Sequence, residues 1–414
     1  MRRRAVLGGL GASAAAAVGG CSAPTRLAPL PHKQWAHAPF TGLPGDCRMM
    51  LDSVDNDLMG RVAIEAERRQ IDFARKSGRP LGEANYLAIS GGGENGAYGA
   101  GLLTGWAELG TRPEFMGVTG VSTGALIAPF AFLGSTYDKE LERVYTTITA
   151  ADIMVSRGWL IALLSDSIYD SAPLQHLIQT SITPTLLGDV AREYTEKGRL
   201  LLVATTHLDV PVGVMWNMGA IAASNHPRAL ELFRQILLAS ASIPGVLPPV
   251  MIDIETENGR YQEMHVDGAT MAEVLLYPPS LGMTEFLREA RADREVLDAL
   301  MKRSRRLYII RNARPGADPK VVERKTFTIA ARALATLVQS QGIGDLYQLY
   351  LICQRDGIDY NLAYISRKFT ATLNEPFEQA YMRKLYAFGR QEMAAGRPWA
   401  KLPPGYDPTP AGSL

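Results

Sequence analysis

The sequence predicts an α/β fold built on a largely parallel sheet, and three observations carry that prediction. First, Tyr86-Leu87-Ala88-Ile89-Ser90 reads as a buried strand that runs into the glycine loop Gly91–Gly101 and then into a helix, Leu102–Leu109. Second, the apolar Met116–Val118 leads through Gly120-Val121-Ser122-Thr123-Gly124 into an Ala/Leu/Ile-rich stretch that favours a helix as far as Phe132. Third, the alternation continues. Strands are expected at Arg199–Thr205, Val250–Ile254, Leu307–Arg311 and Asn361–Ile365. Helices are expected at Tyr137–Thr147, Pro227–Ser240, Glu285–Arg303, Lys325–Leu351 and Pro376–Ala395.

This pattern sets the expected organisation. Residues 85–280 form a catalytic-type α/β unit, and 281–402 continue the same sheet instead of starting a new domain. The Pro/Gly-rich 403–414 read as a loose tail. With 414 residues and 47% hydrophobic content, the chain can bury a large core. Its 43 Lys and Arg nearly balance 42 Asp and Glu, so no global field points to nucleic acid or to an acidic partner.

The N-terminus reads as a targeting segment. Arg2-Arg3-Arg4 precede a mildly apolar, glycine-rich run, Ala5–Gly20, too short for a convincing membrane span. Val18-Gly19-Gly20-Cys21 resembles a bacterial lipoprotein signal, which makes residues 1–20 a signal peptide and Cys21 the lipidated residue. Arg3-Arg4-Ala5-Val6-Leu7 also resembles a twin-arginine export signal. Ser22 after the cysteine leans toward the outer membrane. The expected location is the cell envelope, lipid-anchored on the outer-membrane or periplasmic side. Within 21–84, prolines at 24, 29, 31, 39 and 44 suggest an extended tether. Leu51–Lys76 has helical spacing and ends at Ser77-Gly78-Arg79-Pro80. Two further cysteines, Cys47 and Cys353, are too few for a disulfide scaffold.

The second of the three observations also suggests chemistry. A strand, a cramped Gly-x-Ser-x-Gly turn and a helix form a nucleophile elbow, which presents Ser122 at a helix N-terminus where N–H groups are free to stabilise negative charge. Alone, such a pattern is a common small-residue turn. The glycine loop 91–96 has two readings. As a phosphate cradle it lacks the Lys-Ser/Thr ending of a nucleotide loop; as an oxyanion hole it lets backbone amides approach a tetrahedral intermediate. Asp267-Gly268-Ala269 follows a strand-like run, Tyr261–Val266. On its own it is a turn, yet an aspartate there can reach a serine on the same sheet edge.

Together these elements, in this order, resemble the patatin-like phospholipase family over Tyr86–Pro279, close to half the chain. Tyr169-Asp170-Ser171-Ala172-Pro173-Leu174 and the proline-rich Ala239–Pro249 look like further family segments. Asn95 departs from the pattern, since many members carry arginine or lysine there. The resemblance implies a three-layer α/β/α fold with a largely parallel central sheet. It implies Ser122 as nucleophile and Asp267 as its base, a dyad without histidine. Gly92 and Gly93 would be the oxyanion donors, Gly91 and Gly96 would shape the loop, Gly120 and Gly124 would form the elbow, and Gly268 and Ala269 would complete the base motif. The expected activity is lipid acyl hydrolysis of the phospholipase A type at a membrane surface, without cofactor or metal. The alternatives are an esterase or thioesterase acting on soluble compounds, and a non-catalytic lipid-binding lipoprotein.

The histidines must be weighed against that dyad. All six precede Asp267, whereas an α/β-hydrolase triad places histidine last, an order that only Ser122, Asp209 or Asp253, and His265 would satisfy. His265 lies two residues before Asp267, on the same strand face, and is expected to be structural. His207 and His226 read as ordinary polar residues, and no cluster shows metal-ligand spacing. Trp159–Leu164 is a candidate lipid-facing segment, with a buried helix as the plainer reading.

Overall fold

Short runs of Val, Ile and Leu buried on both faces build the sheet, and Ala- and Gly-rich helices cover it. The computed structural model describes residues 25–31, 42–52, 55–158, 165–256, 259–290, 293–316, 321–396 and 398–407. In chain order it contains β1 (Arg48–Met50), α1 (Asn56–Ser77), β2 (Ala84–Ile89), α2 (Gly96–Glu108), β3 (Gly117–Val121), α3 (Thr123–Leu133), α4 (Asp138–Thr147), β4 (Val155–Ser156) and β5 (Tyr169–Asp170). Then come α5 (Ala172–Ser181), α6 (Pro184–Lys197), β6 (Leu200–His207), β7 (Val212–Asn217), α7 (Met218–Ala223), α8 (Ala229–Ser240), β8 (Val250–Thr256) and β9 (Gly259–Asp267). The last part adds α9 (Met283–Ala290), α10 (Arg294–Lys302), β10 (Arg305–Arg311), α11 (Thr326–Asp356), β11 (Asp359–Tyr364) and α12 (Gln379–Ala394).

The main path of the sheet runs β1-β7-β6-β3-β2-β10-β11. From β6 to β11 every pairing is parallel. At the other edge β7 and β1 run antiparallel, and β9 joins β6 antiparallel as one arm of a hairpin with β8. Strand alternation divides the apolar side chains between two layers. Leu87 and Ile89 of β2 and Ile310 of β10 face the core shared with α2, α3 and α12. Ala88, Leu307 and Ile309 face Leu346, Leu349 and Ile352 of α11. The result is a mostly parallel sheet between helical layers.

Several expected boundaries change. The helix expected at Glu285–Arg303 is two helices, because the Asp293 side chain accepts from Val296 N–H and caps a fresh start at α10. The antiparallel strands β1 and β7 were not legible: β1 is three residues long, and β7 follows Pro211 closely. The proposed tether is not free where it is described. Leu27 N–H donates to Gln262 Oε1 at 2.9 Å, Arg26 pairs with Asp209, and Leu30 is buried. The tail is likewise docked as far as Tyr406, where Tyr347 Oη donates to Pro404 O at 3.0 Å and the rings of Tyr350 and Tyr406 sit 5.3 Å apart. Cys47 and Cys353 are free and buried, and burial pushes both thiols up to about 12.

Candidate active site

Strand β3 delivers the chain to Ser122, whose backbone has φ 54° and ψ −125°, a region that side chains other than glycine rarely occupy. The turn closes because its glycines leave room. A Cβ on Gly120 would lie 2.5 Å from Gly124 O, and one on Gly124 would lie 2.2 Å from Ile89 O. The strained residue is held from outside as well. Ser122 N–H donates to Ser240 Oγ at 3.0 Å, and Ser240 Oγ donates to Ala204 O at 2.7 Å. Next to it, Thr123 Oγ1 and Tyr145 Oη are 2.6 Å apart.

Sheet register explains how Asp267 reaches this turn from far along the chain. Val121, the last residue of β3, pairs with Ala204 of β6. Asp267, the last residue of β9, pairs with Thr205, the next residue of β6. The two strands therefore meet end to end in one lane beside β6, and their ends present Ser122 and Asp267 to each other. Ser122 Oγ donates to Asp267 Oδ2 at 2.7 Å, and Ala269 N–H donates to Asp267 Oδ1 at 2.8 Å. Gly268 and Ala269 form the short helical turn that supplies this second bond. Asp267 N–H donates to Ser242 O at 2.9 Å, so the Ala239–Pro249 stretch holds both partners. Ser122 is 6% exposed and Asp267 3%. Burial pushes the Asp267 carboxyl up to about 7, against the opposing pull of the Ser122 hydroxyl and the Ala269 amide.

The glycine loop lies beside the same hydroxyl, with Gly91 next to Ser122: a Cβ on Gly91 would be 3.2 Å from Ser122 Cβ. Gly91 N–H is already spent on Glu273 O at 3.0 Å. Gly92 (φ 146°) and Gly93 (φ 56°) turn the chain into α2, which begins at Gly96. Asn95 Oδ1 accepts from Tyr381 Oη at 2.8 Å, so the residue that departs from the family pattern is tied to α12.

One residue outside all the sequence motifs holds this loop. Asn312, fully buried just beyond β10, donates from its backbone N–H to Ser90 Oγ at 2.8 Å and from Nδ2 to Ser90 O at 3.0 Å. Its Oδ1 accepts from Gly99 N–H at 3.1 Å, and Ser90 Oγ donates onward to Gly91 O at 2.7 Å. Asn312 O presses so closely on Gly92 that a Cβ there would lie 2.3 Å away. An asparagine ending an apolar strand was the available signal, and it is a weak one. Asn312→Ala leaves Ser90 O and Gly99 N–H without these partners. It is expected to lower kcat on a short soluble ester by about 10²-fold, the usual cost of a misplaced oxyanion donor, with KM little changed. Unchanged kcat with a lowered Tm would limit Asn312 to a structural role.

His265 is placed elsewhere in the network. Trp216 Nε1 donates to Thr205 Oγ1 at 2.8 Å, which leaves the Thr205 hydroxyl to donate to His265 Nδ1 at 3.0 Å. His265 Nε2–H then faces Glu263 Oε2 at 3.2 Å. Both ring nitrogens are thus engaged away from Ser122. His207, Glu263 and His265 form a buried group that sequence spacing did not reveal, because it combines residues two apart on β9 with one on β6. Arg48 Nη1 sits 2.6 Å from Glu263 Oε2 and supplies the balancing charge. Burial pushes the Glu263 carboxyl up, but Arg48 and the two imidazoles outweigh it and hold the group well below the usual range. A cavity of about 580 Å³, lined by Glu108, Glu142, Tyr386 and Arg390 among others, contains none of the residues around Ser122. Cys21 and Trp159–Leu164 lie outside the described residues.

Residues 87–278 match the family model described as patatin-like phospholipase. No curated protein matches the chain. Among solved structures, the crystal structure of VipD from Legionella pneumophila is similar over 76% of this chain and 67% of its own, at 12% identity and a TM-score of 0.34. The matched segment contains the whole glycine loop, the Ser122 elbow and the Asp267-Gly268-Ala269 turn. Residues 87–278 are therefore a patatin-like phospholipase domain, the domain of a family of lipid acyl hydrolases.

Proposed function

We propose that this protein hydrolyses acyl esters of lipids at a membrane surface, with Ser122 as nucleophile and Asp267 as general base. The observation that carries this reading is the 2.7 Å hydrogen bond from Ser122 Oγ to Asp267 Oδ2 at a strained elbow. As Ser122 Oγ attacks the ester carbonyl carbon, its proton passes to Asp267 Oδ2. The carbonyl oxygen becomes an oxyanion, stabilised by the N–H groups of Gly92 and Gly93 and the N-terminus of α3. Collapse expels the alcohol, which takes the proton from Asp267 and leaves an acyl-serine. Water then gives a proton to Asp267 and attacks the acyl carbon, which frees the fatty acid and restores the serine. The testing experiment is labelling of the full chain with a fluorophosphonate probe, which should modify Ser122 and block turnover of a short p-nitrophenyl ester.

The envelope location belongs to the same proposal. Cys21 carries a lipid anchor that keeps the enzyme on its substrate surface. Cys21→Ser is expected to abolish lipid attachment and move most of the protein from the membrane to the soluble fraction, because covalent acyl chains supply stable anchoring. Mass spectrometry of the N-terminal peptide together with fractionation checks this. An unmodified Cys21 in the wild type would remove the anchor from the proposal.

A further inference from the structure

We propose that the N-terminal half of α11 is a docking arm that lies on a bilayer surface carrying anionic headgroups. The proposal rests on the lipid-hydrolase reading above and names the element that meets the substrate's surface. The arm is rooted beside the candidate site. Gln341 Nε2 donates to Met271 O, and Asp345 Oδ2 accepts from the N–H groups of Glu273 at 2.7 Å and Val274 at 3.3 Å. Buried Arg311 ties the same place together: its Nη2 donates to Glu273 Oε2 at 3.3 Å and to Gln339 O at 3.4 Å. Residues 339–345 are thereby clamped onto the segment that begins four residues after Asp267.

On the N-terminal side of that clamp the helix leaves the body. Thr326–Leu337 spans about 18 Å at the usual rise per residue, and Val338 beyond it packs back on the core. The sequence of that stretch is mostly Ala, Leu and Ile, yet Ile329 is 52% exposed and Leu337 67% exposed. Val321, just before the helix, is 95% exposed. A helix face of this composition is ordinarily buried, so its exposure points to a surface that covers it. No helix among the described residues is long and apolar enough to cross a membrane, so the arm suits the interface and not a span.

Charge identifies the surface. From Glu323 to Gly344 the sequence has Arg324, Lys325 and Arg332 against a single acid, Glu323, which pairs with Lys325 and leaves a net charge of +2. Basic residues beside exposed apolar side chains fit anionic headgroups over acyl chains. A symmetric pairing of two such arms about their midpoint would instead set Arg332 against its own copy. The root of the arm adjoins the candidate site, since Glu273 O accepts from the N–H of Gly91, the glycine beside Ser122.

The test uses the full chain carrying Cys21→Ser, so that no acyl anchor contributes. Three readouts are taken: sedimentation with phosphatidylcholine vesicles with and without phosphatidylglycerol, hydrolysis of vesicle lipid, and hydrolysis of a short soluble ester. Ile329→Glu/Leu337→Glu is expected to weaken vesicle binding by about tenfold or more and to lower vesicle hydrolysis in parallel. Soluble-ester turnover should stay within about twofold, since the dyad and its loop are untouched. Arg324→Glu/Lys325→Glu should remove the preference for phosphatidylglycerol. Unchanged vesicle binding in the apolar pair overturns the proposal. So does a dimer that the apolar pair converts to a monomer without change in vesicle binding. A chain that binds vesicles through the arm but cleaves no ester supports the docking arm and refutes the hydrolase reading.

Discussion

Ser122→Ala is expected to lower ester turnover by about 10⁴–10⁶-fold, the range seen when a nucleophile that acts with its base is removed. Fluorophosphonate labelling should be lost with it. The variant also has a stability signature, because the hydroxyl is buried and donates to Asp267. That bond pulls the Asp267 carboxyl down from the value burial alone would impose, so its loss raises the carboxyl further above about 7. At a pH above that value the variant must keep a desolvated carboxylate with one partner fewer, at a cost of about 1–3 kcal/mol. Below it the carboxyl is protonated and the cost shrinks. Thermal melts on either side of neutrality should therefore show a deficit that grows as pH rises. Turnover retained in this variant would remove Ser122 from the mechanism.

Much of this site can be read in the sequence because its parts are local. Gly120–Gly124 encodes a cramped turn by composition alone, and Asp267-Gly268-Ala269 encodes a strand end followed by a turn. What joins them is not local. Ser122 and Asp267 meet because β3 and β9 share a lane beside β6, and that register depends on an antiparallel hairpin with no distinctive signal. The supports are equally hidden. Ser240, Ser242 and Asn312 are ordinary small or polar residues whose importance lies in the backbone groups they meet.

The fold shows the same division. Strands with several buried residues, such as Leu307–Ile310, are visible as apolar runs. The short edge strand β1 is fixed by pairing with β7 and by the Arg48–Glu263 ion pair, and neither has a sequence period. Long α11 was expected because its sequence favours a helix throughout. Which half would be buried depends on where Glu273 and Arg311 wait to receive Gln339–Asp345, and no local pattern records that.

Asp267→Asn separates the catalytic role of the carboxyl from its structural role, and it should give opposite signs for activity and stability. The amide can keep the geometry, with Oδ1 accepting from Ala269 N–H and Nδ2 facing Ser122 Oγ, but it cannot take a proton. Turnover is expected to fall by about 10⁴-fold or more. The folded carboxyl titrates at about 7, above its ordinary unfolded value of about 3.9. Its contribution to stability is therefore fully present below the unfolded value and is lost as pH rises through about 7. Removing the charge should leave Asp267→Asn as stable as the wild type or more so above neutrality, by up to roughly 4 kcal/mol. The pH–rate profile cannot choose between bases, since an aspartate at about 7 and an ordinary histidine at about 6.5 give similar acid limbs. The companion substitutions at His265 decide. With Asp267 as base, His265→Gln should keep turnover within a few-fold, because both imidazole nitrogens serve Thr205 and Glu263. His265→Ala should chiefly lower Tm, since it leaves a cavity and strips a partner from buried Glu263. A folded His265→Gln protein with no turnover would transfer the base from Asp267 to the imidazole.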